Sequence, residues 1–357
     1  MAKKPKSRSK KKVGILTGGG DCPGLNGVIR GIVRKCEYEG KFSCVGILEG
    51  WRGVMERNTM PLGVDAVAGI HHRGGTILRT SRTNPFKDEG TAKKAIANVK
   101  KLGLHALIAI GGDDTLGAAY KLSQNKINVV GVPKTIDNDL SGTEVTFGFD
   151  TAINIAMEAI DRLHTTAESH NRVIVVEVMG RHAGWIALES GLAAGADLIA
   201  IPEVPLSIDY ICDVLTKRHA GGKRFSIVVV SEGAKIMMPG NMALSEVLKD
   251  GSVDQFGHVR LGGIGDALAK LIDDKTGLET RATVLGHIQR GGHPTAFDRI
   301  LGTRFGIAAA DLVHKGDFGK MVALKADKVV PISLLAGVKK LKTVPPEMYE
   351  MAKVFFG

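Results

Sequence analysis

Short uninterrupted apolar runs recur along the chain, and each ends in glycines or a polar cluster. Residues 13–17 run into Gly18-Gly19-Gly20-Asp21, and residues 106–110 into Gly111-Gly112-Asp113-Asp114-Thr115. Residues 129–133 lead to Lys134-Thr135-Ile136-Asp137-Asn138-Asp139, residues 173–178 to Met179-Gly180-Arg181, and residues 227–230 to Ser231-Glu232. Runs of this kind suit strands covered on both faces, hence parallel sheets. Between them the apolar period becomes helical. Ala92, Ala95, Ile96, Val99 and Leu102 form one stripe, closed by Gly103. Ile153, Ala156, Met157, Ile160 and Leu163 form another, behind an expected N-cap at Asp150. The alternation predicts an α/β doubly wound fold, and 357 residues suggest two such units at about 150 residues per domain. Every polar cluster follows a strand end. Ligands bind at the carboxyl edge of open parallel sheets, so these loops are expected to converge on one cleft, as in an enzyme.

Composition adds little to this until charge is mapped. At 44% hydrophobic and 24% charged residues the chain has an ordinary globular composition. No apolar stretch reaches the ~20 residues of a membrane span, and no apolar segment follows Met1 as in a secretory signal. Cys22, Cys36, Cys44 and Cys212 are scattered without zinc spacing, which fits a reducing compartment and a cytoplasmic protein. Of the net charge of +11, seven positive charges lie in residues 1–12, at Lys3, Lys4, Lys6, Arg8, Lys10, Lys11 and Lys12. That segment reads as a disordered basic arm. Nucleic-acid binding would rest on the arm alone and is not expected.

The clusters carry distinct chemistry. In the first loop, Thr17 to Asn26, glycines let backbone N–H groups approach an anion, with a helix start behind them. Pro23 breaks the G-x-G-x-x-G pattern, which argues against a nicotinamide-dependent dehydrogenase, and the P-loop lysine is missing. Taken alone, the loop also reads as a tight structural turn. In the second loop a carboxylate beside a phosphate-binding helix start calls for Mg²⁺ at Asp113; the alternative is an Asp or Thr helix cap. In the third, Asp137 suits a base that takes a proton from an attacking hydroxyl, and Lys134 suits countercharge on a moving phosphoryl group. The alternative there is an Asx-turn. Arg281, His287 and Arg290, with Arg172 and Arg181, suit a cage for a fixed phosphate.

The strings GGGDCPGLN, RGGTILRTSR, GGDDT, PKTIDNDL, SHNR, VEVMGRHAG, ETRATVLGHIQRGG and DRI, in this order, resemble the phosphofructokinase family. The resemblance implies two interleaved Rossmann-like three-layer domains with mainly parallel sheets. Residues 13–149 plus about 289–340 would bind the phosphoryl donor, and about 150–288 plus 341–357 the sugar phosphate. It implies Asp137 as the base acting on the 1-hydroxyl of fructose 6-phosphate, and Arg181 as the residue stabilising the transition state. Thr135, Met179, Gly180 and Glu232 would contact the sugar. Arg172, Arg281, His287 and Arg290 would hold its 6-phosphate, with Arg172 and Arg281 supplied by a neighbouring subunit of a homo-oligomer, dimer or tetramer. Gly20, Arg82, Gly112, Asp113, Asp114 and Thr115 would meet the donor, with Mg²⁺ on Asp113.

Two positions bear on the donor. Where this chain has Asp114 and Lys134, ATP-dependent relatives typically carry glycine, and the pair resembles the pyrophosphate-dependent branch. Two unscreened like charges ~4 Å apart cost on the order of 4 kcal/mol at an effective dielectric of 20, so Asp114 would repel a nucleotide's α-phosphate. The expected reaction is reversible phosphoryl transfer from pyrophosphate to fructose 6-phosphate, with an ATP-dependent 6-phosphofructokinase as the alternative. Arg30 and Arg34 resemble effector-site positions of allosteric relatives, but Val64 and Asp197 depart from that pattern.

Overall fold

The computed structural model describes residues 10–240, 242–244 and 263–357. From the N-terminus come β1 (Lys11–Thr17), α1 (Leu25–Glu39), β2 (Phe42–Ile47), α2 (Trp51–Glu56) and β3 (Thr59–Leu62). They are followed by α3 (Glu89–Lys101), β4 (Leu104–Gly111), α4 (Asp113–Gln124) and β5 (Val129–Pro133). Next are α5 (Phe149–His170), β6 (Val173–Val178), α6 (Trp185–Ala193), β7 (Leu198–Ala200), β8 (Leu206–Ser207) and α7 (Ile208–Ala220). Then come β9 (Ser226–Ser231), β10 (Ile236–Met237), α8 (Ile264–Thr276) and β11 (Thr280–Val284). The chain closes with α9 (Ala296–Lys315), β12 (Lys320–Lys325), β13 (Lys328–Ser333), α10 (Leu334–Val338) and α11 (Pro346–Lys353).

These elements form two units. The first runs to Lys134 and takes back Gly142–Phe147 and His293–Lys339; the second holds Thr135–Ser141, Gly148–Gly292 and Lys340–Gly357. The division differs from the expected one in one respect. The chain first leaves at Lys134, and residues 135–141 of the PKTIDNDL string belong with the second unit.

In the first unit seven strands lie in the order β13-β12-β5-β4-β1-β2-β3. All pairs are parallel except β2–β3 and β12–β13 at the two edges. The strands read from uninterrupted apolar runs are the central ones, and Val13, Ile15, Leu107, Ile108, Val129 and Val130 are fully buried. Lys11 and Lys12, assigned by their charge to the disordered arm, instead begin β1 and pair with Phe42 and Ser43. The arm up to residue 9 lies outside the described residues. In the second unit a four-stranded sheet, β11-β6-β9-β7, is parallel throughout.

The helix stripes hold with one correction. Helix α3 buries Ala95 and Val99 and is followed by Gly103 in the left-handed region (φ 63°). Asp150 is not the cap of α5: Gly148 is, and Asp150 lies in the first turn, where a carboxylate favours the helix dipole. Among the described residues no helix is long and apolar enough to cross a membrane.

Candidate active site

In the first unit β1, β4 and β5 are parallel neighbours, so the loops that follow them lie at one edge of the sheet. Helix α4 starts directly after β4 with Gly112 at its N-cap, and Asp113 and Asp114 occupy its first turn. No side chain caps this helix, so the reading of an Asp or Thr cap fails. Thr115 is 2% exposed because it is wedged beneath two glycines. A Cβ on Gly18 would lie 2.6 Å from Thr115 Oγ1, and one on Gly111 would lie 2.3 Å from Thr115 Cβ. Those glycines serve to bring two backbone turns onto one threonine.

Lys134 directly follows β5, is 4% exposed, and donates from Nζ to the carbonyl of Gly20. The lysine absent from the first loop therefore reaches it from the strand two places away in the sheet. Nearby, Asn26 Nδ2 donates to the carbonyls of Arg73 (3.1 Å) and Gly74 (3.3 Å), while its Oδ1 accepts from the Ile77 N–H at 2.9 Å. Thr80 Oγ1 donates to the Gly19 carbonyl at 2.5 Å. The RGGTILRTSR segment is thereby tied to the glycine loop, and it carries the exposed Arg82. Gly20, Gly112, Asp113, Asp114, Thr115 and Lys134 thus lie on the loops at the carboxyl ends of β1, β4 and β5. Among the described residues no three His, Cys, Asp or Glu side chains cluster as a metal site. Mg²⁺ takes about one or two carboxylates and completes its octahedron with water and phosphate, so the single carboxylate of Asp113 suffices as a protein ligand for that ion.

In the second unit β6 and β9 are parallel, and Met179-Gly180-Arg181 and Glu232 follow their carboxyl ends. Gly180 has φ 130°, and a Cβ there would meet Ala183 O at 2.7 Å and Ser231 Oγ at 2.8 Å, so a side chain would push the loop off β9. Ser231 Oγ donates to the Gly180 carbonyl. Asp137 and Thr135 lie in a turn in which Thr135 Oγ1 accepts from the Asp137 N–H at 3.0 Å. Thr135 thus helps to close the turn. Burial pushes the Glu232 carboxyl up to about 7, reinforced by the charge of Asp137 and opposed by Arg181. Asp137, Arg181, Arg290 and Glu232 therefore share one electrostatic neighbourhood.

His287 and Arg290 sit on a 3-10 turn, Gly286–Arg290, with His287 exposed and Arg290 half-buried. Sequence reasoning missed Gln289, which is fully buried inside that turn. Its Oε1 accepts from the Met179 N–H (3.3 Å) and its Nε2 donates to the Gly286 carbonyl (3.1 Å). It thereby joins the sugar-contact loop to the phosphate-contact turn. Its place between His287 and Arg290 is the only sequence signal.

Arg172 and Arg281 are not part of this group. Arg172 precedes β6, Arg281 lies on the adjacent β11, and both donate to Glu279 Oε1 at 2.7 Å. Arg181 follows the other end of β6. Six strand residues at ~3.3 Å each separate the ends by about 20 Å. Arg172 and Arg281 therefore lie at the opposite end of β6 from the Met179–Arg181 loop. Asp197, weighed as an effector contact, is buried, ion-paired to Arg218 (2.8 Å), and accepts from the Ile227 N–H at 2.8 Å.

Parallel sheets with a glycine–lysine set in one unit and an acid–arginine set in the other mark an α/β phosphotransferase. The phosphofructokinase family model matches residues 12–313, and the chain belongs to that family. It is 57% identical over 349 residues to pyrophosphate–fructose 6-phosphate 1-phosphotransferase of Streptomyces coelicolor, covering 97% of this chain and 100% of that one. It is 50% identical over 342 residues to ATP-dependent 6-phosphofructokinase 3 of the same organism, covering 96% and 99%. Among solved structures, Pichia pastoris phosphofructokinase in the T-state matches with a TM-score of 0.80 and 31% identity. That match takes in 99% of this chain and 37% of the longer one.

Proposed function

We propose that this phosphofructokinase transfers a phosphoryl group between pyrophosphate and the 1-hydroxyl of fructose 6-phosphate, reversibly, giving fructose 1,6-bisphosphate and phosphate. The observation that carries the donor assignment is the pair Asp114 and Lys134, a carboxylate in the first turn of α4 and a buried ammonium on the glycine loop. The full-length 57% identity to a relative named for that reaction supports it.

The residues divide the work. Asp137 takes the proton of the 1-hydroxyl, whose oxygen attacks the terminal phosphorus as the bond to the bridging oxygen breaks. Lys134 neutralises the departing phosphate, and Arg181 stabilises charge on the moving group. Glu232, whose carboxyl is pushed up to about 7, can in its protonated form donate as well as accept a hydrogen bond to a sugar hydroxyl, with Thr135, Met179 and Gly180 completing that contact. Gly20, Arg82, Gly112, Asp114 and Thr115 hold the donor. Mg²⁺, held by Asp113, supplies countercharge to the donor oxygens when bound.

His287 and Arg290 grip the 6-phosphate together with Arg172 and Arg281 of a second copy, which makes the working enzyme a homo-oligomer. The separation along β6 supports that reading. The four buried cysteines, none of them in a disulfide, support a cytoplasmic location, where thiols stay reduced.

One observation favours an ATP-dependent reading: relatives at 50% identity carry that name. Assaying kcat/KM with pyrophosphate and with ATP side by side decides it. Preference for ATP would overturn the donor assignment.

A further inference from the structure

The loop that carries Asp137 is gripped by a segment some two hundred residues away in the chain. Leu140 bridges Leu341 in antiparallel fashion, and the Lys342 N–H donates to the Asp139 carbonyl at 2.8 Å. Ser141 Oγ donates to the Lys340 carbonyl. Between Asp137 and Asp139, Asn138 is 3% exposed and adopts φ 52°, a left-handed conformation that asparagine enters more readily than other non-glycine residues but that still costs energy unless its contacts support it. A charged contact supports it: Lys342 Nζ donates to Asn138 Oδ1 at 2.7 Å.

Lys342 is itself fixed at both ends. Its carbonyl accepts from Trp185 Nε1 at 3.0 Å, and its ammonium stands 5.3 Å from the centre of the Trp185 ring. Two residues on, the Val344 N–H donates to Glu203 Oε1 at 2.9 Å, and the same carboxylate accepts from the Gly184 N–H at the start of α6. Asn138, Lys342, Trp185 and Glu203 thus form a continuous chain of polar contacts from α6 to the turn of the base.

Resting on the reading of Asp137 as the base, we propose that Lys342 is a positioning residue, which holds Asn138 left-handed and so aims the Asp137 carboxylate at the 1-hydroxyl. Asp137 and Asp139 flank Asn138, so a change of its φ rotates both peptide planes next to the base. The ligands of the 6-phosphate lie on other segments. Losing Lys342 should therefore damage turnover far more than sugar binding. A displacement of ~1 Å at a reacting group costs about a hundredfold in rate.

The test compares Lys342→Met, Lys342→Arg, Asn138→Gly, Asn138→Ala, the double variant Lys342→Met/Asn138→Gly and Asp137→Ser in the full-length protein with pyrophosphate, Mg²⁺ and fructose 6-phosphate. Lys342→Met is expected to lower kcat about a hundredfold, with KM for fructose 6-phosphate changed less than threefold. Lys342→Arg, which keeps a donor, should recover most of the rate. In the Asn138→Gly background Lys342→Met should cause no further loss, because the contact it acts through is gone. If Lys342→Met does not fold, Asn138→Ala, which removes the accepting oxygen without glycine's left-handed freedom, still decides: activity equal to wild type in that variant overturns the proposal. So does a Lys342→Met enzyme in which kcat is unchanged, or one in which KM rises as much as kcat falls. If Asp137→Ser retains its turnover, the assignment of the base fails instead.

Discussion

In the first unit, the groups assigned to the donor are largely backbone drawn tight. Gly18 and Gly111 close over Thr115, and Lys134 is docked on the Gly20 carbonyl. In the second unit, the groups assigned to the sugar phosphate are side chains with opposed charges, Asp137, Glu232, Arg181 and Arg290, among which burial, reinforced by Asp137 and opposed by the arginines, pushes the Glu232 carboxyl up to about 7. A backbone frame discriminates by shape, and its choice of ligand can rest on the one or two side chains that intrude on it. A side-chain cluster discriminates by charge and proton occupancy, so it responds to pH and to single truncations. The two units should therefore fail in different ways.

The largest expected failure is at the base. Asp137→Ser removes the proton acceptor and leaves the arginines, so kcat should fall by about 10²–10⁴ while fructose 6-phosphate still binds, as measured by calorimetric titration. Unchanged turnover would refute the assignment. Next comes the phosphate grip. Arg172→Ala should raise KM for fructose 6-phosphate about 10- to 100-fold, the range for a lost charged hydrogen bond, with kcat nearly kept because the 6-phosphate is held alike in ground and transition states. Because Arg172 and Arg181 lie at opposite ends of β6, unfolding and refolding Arg172→Ala together with Asp137→Ser should restore a low-KM component. A site with Asp137 from one copy and Arg172 from another is then intact. No such component would mean that the two arginines serve the same chain's fold.

How far the sequence announced these two regions differs as well. Central strands were legible to within two residues because burial on both faces leaves no polar position to confuse the period, as at residues 13–17 against the observed Lys11–Thr17. The placement of the loops at carboxyl edges follows from parallel pairing, and it holds for the clusters after β1, β4, β5, β6 and β9 but not for Arg172 and Arg281. The start of α5 was misplaced because Asp150 is a good N-cap by type, yet left-handed Gly148 takes the position. Which end of β6 an arginine occupies was legible by counting, yet chemical kind alone groups Arg172 with Arg181. Contacts between distant segments were not legible at all. Nothing local marks Lys342 as the partner of Asn138, 204 positions away, or Gln289 as the link to Met179.

A smaller effect separates the units by pH. Unfolded, Glu232 titrates near 4.5, and folded near about 7. Below pH 4.5 both states hold the proton. Between the two values only the folded chain holds it, so stability falls as pH rises through that window, by on the order of 3 kcal/mol in all. Glu232→Gln keeps the shape and cannot ionise. It should match wild type in urea unfolding at pH 4 and exceed it at pH 8. A gap that does not widen with pH would show that the carboxyl is not held protonated by its surroundings.

The smallest effect tests the donor frame, where choice is assigned to two side chains. If Asp114 excludes ATP by placing negative charge where the α-phosphate must lie, Asp114→Gly should create measurable ATP use. The gain should be about tenfold in kcat/KM, well below the ~4 kcal/mol bound for two unscreened charges, because the surroundings of the adenine are unchanged. Pyrophosphate use should decline in the same protein if the carboxylate helps to place Lys134 or the metal on the smaller donor. Lys134→Gly should damage the pyrophosphate reaction without admitting ATP, since the obstructing carboxylate stays, and it also removes the tie to the Gly20 carbonyl. The double variant should favour ATP most. Measuring kcat/KM for both donors in all four proteins separates exclusion from placement: ATP use that rises with Asp114→Gly alone assigns the choice to charge in the frame. If ATP gains nothing from that change, the backbone rather than Asp114 sets the limit, and donor choice in this unit is a matter of shape.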